Sequence, residues 1–148
     1  METITHTLSQ EHSRCDKQFA QAEANIAKAQ WEQGTADFTA FHAAMEKHFS
    51  MEEQILFPTV EDRTGQTAGP TQVMRMEHQQ MRQVFAEMQE SCWKQDKDEY
   101  LGLSETLLML MQQHNAKEEQ ILYPMSDQVL GNEAPSILNQ MRAQGGIK

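Results

Sequence analysis

HFSMEEQILFP, residues 48–58, returns as HNAKEEQILYP at residues 114–124. Seven of the eleven positions are identical, an eighth is Phe57 against Tyr123, and the offset is 66 residues. The same offset relates Glu11-His12 to Glu77-His78 and Phe19 to Phe85. A single offset that joins three separate matches is the mark of a duplicated unit. Each unit contains two helix-length segments, so the expected architecture is a duplicated helix hairpin, with halves at about 4–62 and 70–130.

Punctuation outside the repeat is sparse. Gly34, Gly65 with Gly69-Pro70, and Gly131 are the main breaks before a Gly-Gly tail at 145–146. β-branched residues are few, while Ala, Gln, Glu, Met and Leu are many, a helix-forming composition. Helices are predicted over about 4–31, 35–62, 70–93 and 97–130, with a short last helix at about 133–143 on the outside. Short connections make neighbouring helices antiparallel. The fold class is therefore all-α, an up-down-up-down four-helix bundle forming a single domain over 1–148.

Each long segment carries one row of side chains at steps of three and four, the period of one helix face. The rows are Leu8-His12-Cys15-Phe19-Ala22-Ile26, Phe38-Phe41-Met45-His48-Glu52-Ile55, Met74-His78-Met81-Phe85-Met88-Cys92 and Leu103-Leu107-Leu110-His114-Glu118-Ile121. Rows that face a core should be apolar, yet every one is interrupted by His and two also by Glu. A buried carboxylate costs several kcal/mol unless it is paired or metal-bound. His48 with Glu52, and His114 with Glu118, stand four apart and so reach the same place from one helix. His12 and His78 add one imidazole each.

Taken singly, His-x-x-x-Glu is more often a solvent-facing pair, and a lone His is more often a satisfied core or surface residue. The joint pattern differs, because six donor-type residues fall on the inward faces of four helices and one offset relates them. Four imidazoles and two carboxylates exceed what one tetrahedral zinc takes. They suit two transition-metal ions bridged by both Glu, with positions left for water, oxide or a ligand. His12, His48, Glu52, His78, His114 and Glu118 are the predicted metal ligands.

Composition bounds the alternatives. Hydrophobic residues make up 39% and charged residues 23%, the balance of a folded globular chain rather than a disordered one. The net charge of -10 repels phosphate backbones, so no nucleic-acid partner is expected. No apolar run approaches the ~20 residues a membrane span needs, so no membrane is expected. Met1–Gln10 has neither a basic start nor an apolar stretch, and Cys15 and Cys92 form no C-x-x-C pair. The expected location is the cytoplasm, with free thiols.

The HxxxEEQILFP and HxxxEEQILYP segments, together with Met76-Glu-His78-Gln-Gln-Met81-Arg, resemble the hemerythrin-like proteins of the HHE cation-binding type, whose pattern is H…HxxxE…H…HxxxE. The resemblance covers about residues 5–130. It implies a four-helix bundle around a non-haem diiron site, as in myohemerythrin's bundle. It implies two iron ions with a bridging oxide or hydroxide, held by the six residues above, with Glu52 and Glu118 as the bridges. The oxygen-carrying hemerythrins have HxxxH on the third helix and HxxxxD on the fourth. Here Met74 and Arg82 flank His78 at four residues, and Glu118 follows His114 by four. One imidazole fewer argues against reversible oxygen transport. The implied function is binding or sensing of dioxygen, nitric oxide or peroxide in oxidative or nitrosative stress. The alternatives are an enzyme that consumes peroxide or NO, and an iron donor that repairs iron-sulfur centres. No protein partner is implied.

Other residues have plainer expectations. His6 is expected in solvent, and His42 outward, about 240° round the helix from His48. Glu53 and Glu119 are expected at the surface rather than as acceptors behind the ligands. Asp16 stands four after His12 and Cys15 three after it; the first is expected outside the site and the second as an inert buried thiol. Glu23 lies too far along the axis to join the site, an odd carboxylate for its position. Pro58 and Pro124 should end or kink their helices just past the ligands.

Overall fold

The computed structural model describes residues 2–147. The first hairpin is α1 (Ile4–Ala27) and α2 (Trp31–Met51), the latter continued by a π turn (Glu52–Leu56) and α3 (Phe57–Thr64). The second hairpin is α4 (Pro70–Lys94) and α5 (Lys97–Lys117), continued by a second π turn (Glu118–Leu122) and α6 (Tyr123–Leu130). A 3-10 turn (Gly131–Glu133) leads to α7 (Ala134–Ala143). The helices α1, α2, α4 and α5 pack in cyclic order, each against its two neighbours, which is the antiparallel four-helix bundle expected.

Helix starts follow local chemistry. The Thr3 side chain accepts from the His6 N–H and the Asp96 side chain from the Glu99 N–H, each satisfying one free amide. Pro70 opens α4, where a missing donor costs nothing. Gly65, at φ 70°, ends α3.

The first turn departs from expectation. α1 ends at Ala27 rather than at 31, and the chain reverses at Ala29, a non-glycine residue with φ 58°. Gly34 is not the break. It lies inside α2, where an added Cβ would sit 2.5 Å from Ile26 Cδ1 and 3.2 Å from the Ile26 backbone nitrogen. The glycine lets two backbones approach rather than turn.

At the two prolines, only the ending that the sequence allowed fails to occur. Neither ends its helix. In each copy the turn before the proline widens, with Phe57 N–H bonding to Glu52 O and Tyr123 N–H to Glu118 O. A π turn inserts one extra residue into the helix, and such insertions cluster at functional sites. The extra residue shifts the inward face by one position. Leu56 and Leu122 are therefore buried, while Ile55 is only half-buried and Ile121 is exposed.

Two apolar clusters result. One gathers Phe19, Phe38, Phe41, Phe49, Phe85 and Tyr100, among others. The other gathers Ile4, Leu8, Met51, Leu56, Phe57 and Tyr123 with Leu138 and Met141 of α7. The last helix does not lie loosely outside, because Ile137, Leu138 and Met141 are buried and close that end. The start of α1 is fastened there too. Ile4 N–H donates to Asp127 Oδ1 at 2.7 Å, Thr5 Oγ1 donates to Asp127 Oδ2 at 2.7 Å, and Glu2 pairs with Arg142. Among the described residues, no helix is long and apolar enough to cross a membrane.

Candidate metal centre

The predicted ligands fall between the two clusters. Along the chain, His12 separates Leu8 from Cys15, His48 separates Met45 from Met51, and His78 separates Met74 from Met81. All six predicted residues are buried, Glu52, Glu118 and His78 completely. Glu52, His78, His114 and Glu118 bring four donor atoms within 4.8 Å of one another; His12, His48 and Glu118 bring three. The twofold arrangement read from the repeat thus becomes two adjacent half-sites sharing the carboxylates.

In the first half-site, His12 Nε2 lies 3.0 Å from Glu118 Oε1, and His48 Nε2 lies 3.5 Å from Glu52 Oε2. In the second, His78 Nε2 lies 3.1 Å from Glu52 Oε1 and His114 Nε2 3.3 Å from Glu118 Oε1. Neither of the last two contacts has hydrogen-bonding geometry. His78 Nε2, His114 Nε2, Glu52 Oε1 and Glu118 Oε2 are buried donor atoms with no hydrogen-bond partner. Buried polar groups are almost always satisfied. Four orphaned ligand-type atoms from α4, α5 and the two π turns are what a bound cation would satisfy, so the residues fit a metal.

Carboxylates stand behind three of the imidazoles. His12 Nδ1 donates to Glu119 Oε2 at 2.7 Å, His78 Nδ1 to Glu53 Oε2 at 2.7 Å, and His114 Nδ1 to Glu77 Oε1 at 2.9 Å. Such contacts fix the tautomer and leave Nε2 for the metal. Glu53 and Glu119, though partly exposed, are therefore acceptors behind the imidazoles, and Glu77 joins them. Each acid follows or precedes a ligand by one residue and so points to the neighbouring helix rather than to its own partner's metal position. Arg82 grips Glu53 through both oxygens, at 2.9 and 3.0 Å, and Lys117 pairs with Glu77. The position 66 before Arg82 holds Asp16, so Glu119 receives no cation from there.

Protonation follows these contacts. Burial disfavours charge on His12, but hydrogen bonds with Glu118 and Glu119 raise it to about 10. Burial likewise opposes charge on His78, which Glu52 and Glu53 raise to about 9. Glu53 is lowered to about 2 despite its burial, through His78 and Arg82. Burial opposes ionisation of Glu52, yet the neighbouring imidazoles hold it well below the usual carboxylate range. In the metal-free chain, protons on His12 and His78 accompany the ionised Glu52, and a metal ion would displace them.

Two aromatic residues were not singled out by the spacing. Phe49 stacks on His78, with ring centroids 3.9 Å apart. Tyr123 points its hydroxyl into the first half-site, 2.6 Å from Glu52 Oε2 and 2.9 Å from Glu118 Oε1. Its counterpart Phe57 lies against His78, with centroids 5.7 Å apart. The remaining candidates lie elsewhere. His6 is exposed, and His42 rests against Phe38 and Phe85. Asp16 is exposed. Cys15 is buried with its thiol pushed up to about 12 by burial, and both cysteines are free. Glu23 accepts from the buried Ser104 hydroxyl at 2.5 Å, which accounts for its odd position.

The sequence model of the Hemerythrin HHE cation binding domain matches residues 3–126, which takes in both hairpins and all six donors. The chain belongs to this family. The chain has a hemerythrin-like helical bundle and a His/Glu cluster able to hold metal. The chain is similar to the "Iron-sulfur cluster repair protein YtfE" of Salmonella schwarzengrund (strain CVM19633), 32% identical over 103 residues. The match covers 61% of this chain and 45% of that protein, so the chain spans under half the length of this hemerythrin-domain relative. No solved structure matches the chain.

Proposed function

We propose that this hemerythrin-domain chain is a non-haem diiron protein that binds dioxygen, nitric oxide or peroxide, in the cytoplasm, as part of a response to oxidative or nitrosative stress. One observation carries the reading. Four Nε2 atoms and two shared carboxylates converge between two apolar clusters, four of the donor atoms lacking any protein partner. Two ferrous ions, when bound, supply electrons and exchangeable positions for a small ligand.

The chain's own residues do the rest. His12, His48, His78 and His114 supply nitrogen, and Glu52 and Glu118 supply oxygen to both positions. Glu53, Glu77 and Glu119 hold the Nδ1 protons and with them the ring orientations. Phe49 and Phe57, both buried against the His78 ring, limit water there. Anaerobic loading with ferrous iron, followed by elemental analysis, should give two ions per chain. Nitric oxide should then change the visible spectrum, and air should oxidise the loaded protein without recovery under argon. One tightly held ion, or repeated reversible oxygenation, would overturn this reading.

The printed function of the Salmonella relative supports a second reading, donation of iron to damaged iron-sulfur centres. Reactivation of an iron-sulfur enzyme by stoichiometric loaded protein, with the six donors required, would favour it over ligand binding.

A further inference from the structure

The two half-sites are chemically twinned. The first has Nε2 of His12 and His48 with Glu118 Oε1 and Glu52 Oε2. The second has Nε2 of His78 and His114 with Glu52 Oε1, 3.1 Å from His78 Nε2, and Glu118 Oε1, 3.3 Å from His114 Nε2. They differ in one atom. The Tyr123 hydroxyl lies 2.6 and 2.9 Å from the two carboxylate oxygens of the first set and 3.1 and 3.3 Å from Nε2 of His12 and His48. It touches every donor of that set. The residue 66 earlier is Phe57, whose ring brings no polar atom to the second set. Nε2 of His78, Nε2 of His114 and Glu52 Oε1 have no hydrogen-bond partner, and neither does the second Glu118 oxygen, whereas Nε2 of His12 and His48 meet the phenol.

We infer that Tyr123 sets the order in which the two metal positions fill: the His78/His114 position binds its ion first, and the His12/His48 position second, because an ion entering there must displace or rearrange the phenol. The inference rests on the two-metal reading above. A hydrogen bond to a charged group, once made in a buried site, is costly to break. An ion at the second set breaks none of the contacts Tyr123 makes to His12 and His48. An ion at the first set competes with all four. The hydroxyl also satisfies those buried atoms when no metal is present, so it holds the first half-site in shape.

Cobalt(II) serves as the probe, since it does not change oxidation state under argon and its visible bands report nitrogen and oxygen donors. Titration of the full chain is followed by calorimetry and absorbance. The wild type should take two equivalents in two steps. His114→Ala should remove the tighter step and His48→Ala the weaker one. Tyr123→Phe should tighten the second step about tenfold or more while leaving the first unchanged. Repulsion between two neighbouring cations is common to both proteins, so the change on substitution isolates the hydroxyl. Phe57→Tyr, which places a hydroxyl on the other half-site, should weaken the first step. Combined with Tyr123→Phe, it should reverse which histidine controls the tighter step. Melting curves of the metal-free variants establish that each is folded, and the pairing of Phe with Tyr in the repeat makes both exchanges sterically mild.

An unchanged gap between the two steps in Tyr123→Phe would overturn the inference, as would loss of the tighter step in His48→Ala. Uptake of two equivalents in one indistinguishable class would overturn it while leaving the two-metal reading in place. Uptake of fewer than two equivalents by the wild type would overturn both.

Discussion

Glu53 is one residue past the candidate ligand Glu52, yet its carboxylate serves a histidine on another helix. Through Nδ1 of His78 it leaves Nε2 turned toward the other candidate donors, and Arg82 decides where the carboxylate itself stands. Glu53→Gln and Glu119→Gln should each lower metal affinity about 10- to 100-fold with the helical content intact, as measured by competition with a chelator. The same contacts set a pH window for the metal-free protein. Glu53 is lowered to about 2, so its contribution is complete above the ordinary carboxylate range and lost as pH falls. His12 and His78 are raised to about 10 and about 9, so theirs is complete below about 6.5 and lost as pH rises through those values. The melting temperature of metal-free protein should therefore peak in the mildly acidic range and decline on both sides. With metal bound, the alkaline decline should flatten, because the ion replaces the protons. The six donors could be read from the sequence because each breaks an apolar row. The acids behind them break no row. Their only trace is the doublets Glu52-Glu53, Glu118-Glu119 and Glu77-His78, and a doublet does not say which helix it reaches.

At the scale of the element, the π turns explain why periodicity reads α2 and α5 correctly and then fails past Glu52 and Glu118. A constant step of 3.6 residues puts Ile55 and Ile121 inward; the inserted residue puts Leu56 and Leu122 there instead. The available trace was a proline six residues after each ligand Glu, at 58 and 124, where a regular helix would lose a hydrogen bond. Substitution tests the phase directly. Leu122→Ala should cost about 2–5 kcal/mol of unfolding free energy, whereas Ile121→Gln should stay within about 0.5 kcal/mol, both by denaturant titration. The turn at Ala29 left no trace at all, since no glycine, asparagine or proline marks it. Gly34 gave a false one, because a glycine needed for close approach looks like a glycine needed for a turn.

Across the whole molecule, the donors form a polar layer with an apolar cluster on either side. Without metal, that layer holds two fully buried carboxyl groups, Glu52 and Glu118, with only imidazoles and the Tyr123 hydroxyl beside their oxygens. Metal binding should stabilise the fold by mass action, by about 2.7 kcal/mol per site at a free concentration of 100 times the dissociation constant. For a domain of this size, verified removal from one such site should lower the melting temperature by about 5–10 °C in a thermal scan. The bundle itself was legible because one offset fixed two hairpins at once. The role of α7 was not, since amphipathic character alone does not say what a short helix covers.

The fastening of Ile4 and Thr5 to Asp127, with Glu2 on Arg142, brings the two ends of the described chain together. The covalent tie between the hairpins is the stretch 65–69, exposed over 65–68. In connectivity, then, the protein is nearly a ring of two equal arcs, cut at one of its two junctions. The cut can be moved. A permuted chain that starts at Pro70, runs through the old ends by a short flexible bridge and stops at Thr64 would present the second hairpin first. It should fold with the same helical content and take up the same metal, because the donors are placed by packing between the arcs and not by which arc is made first.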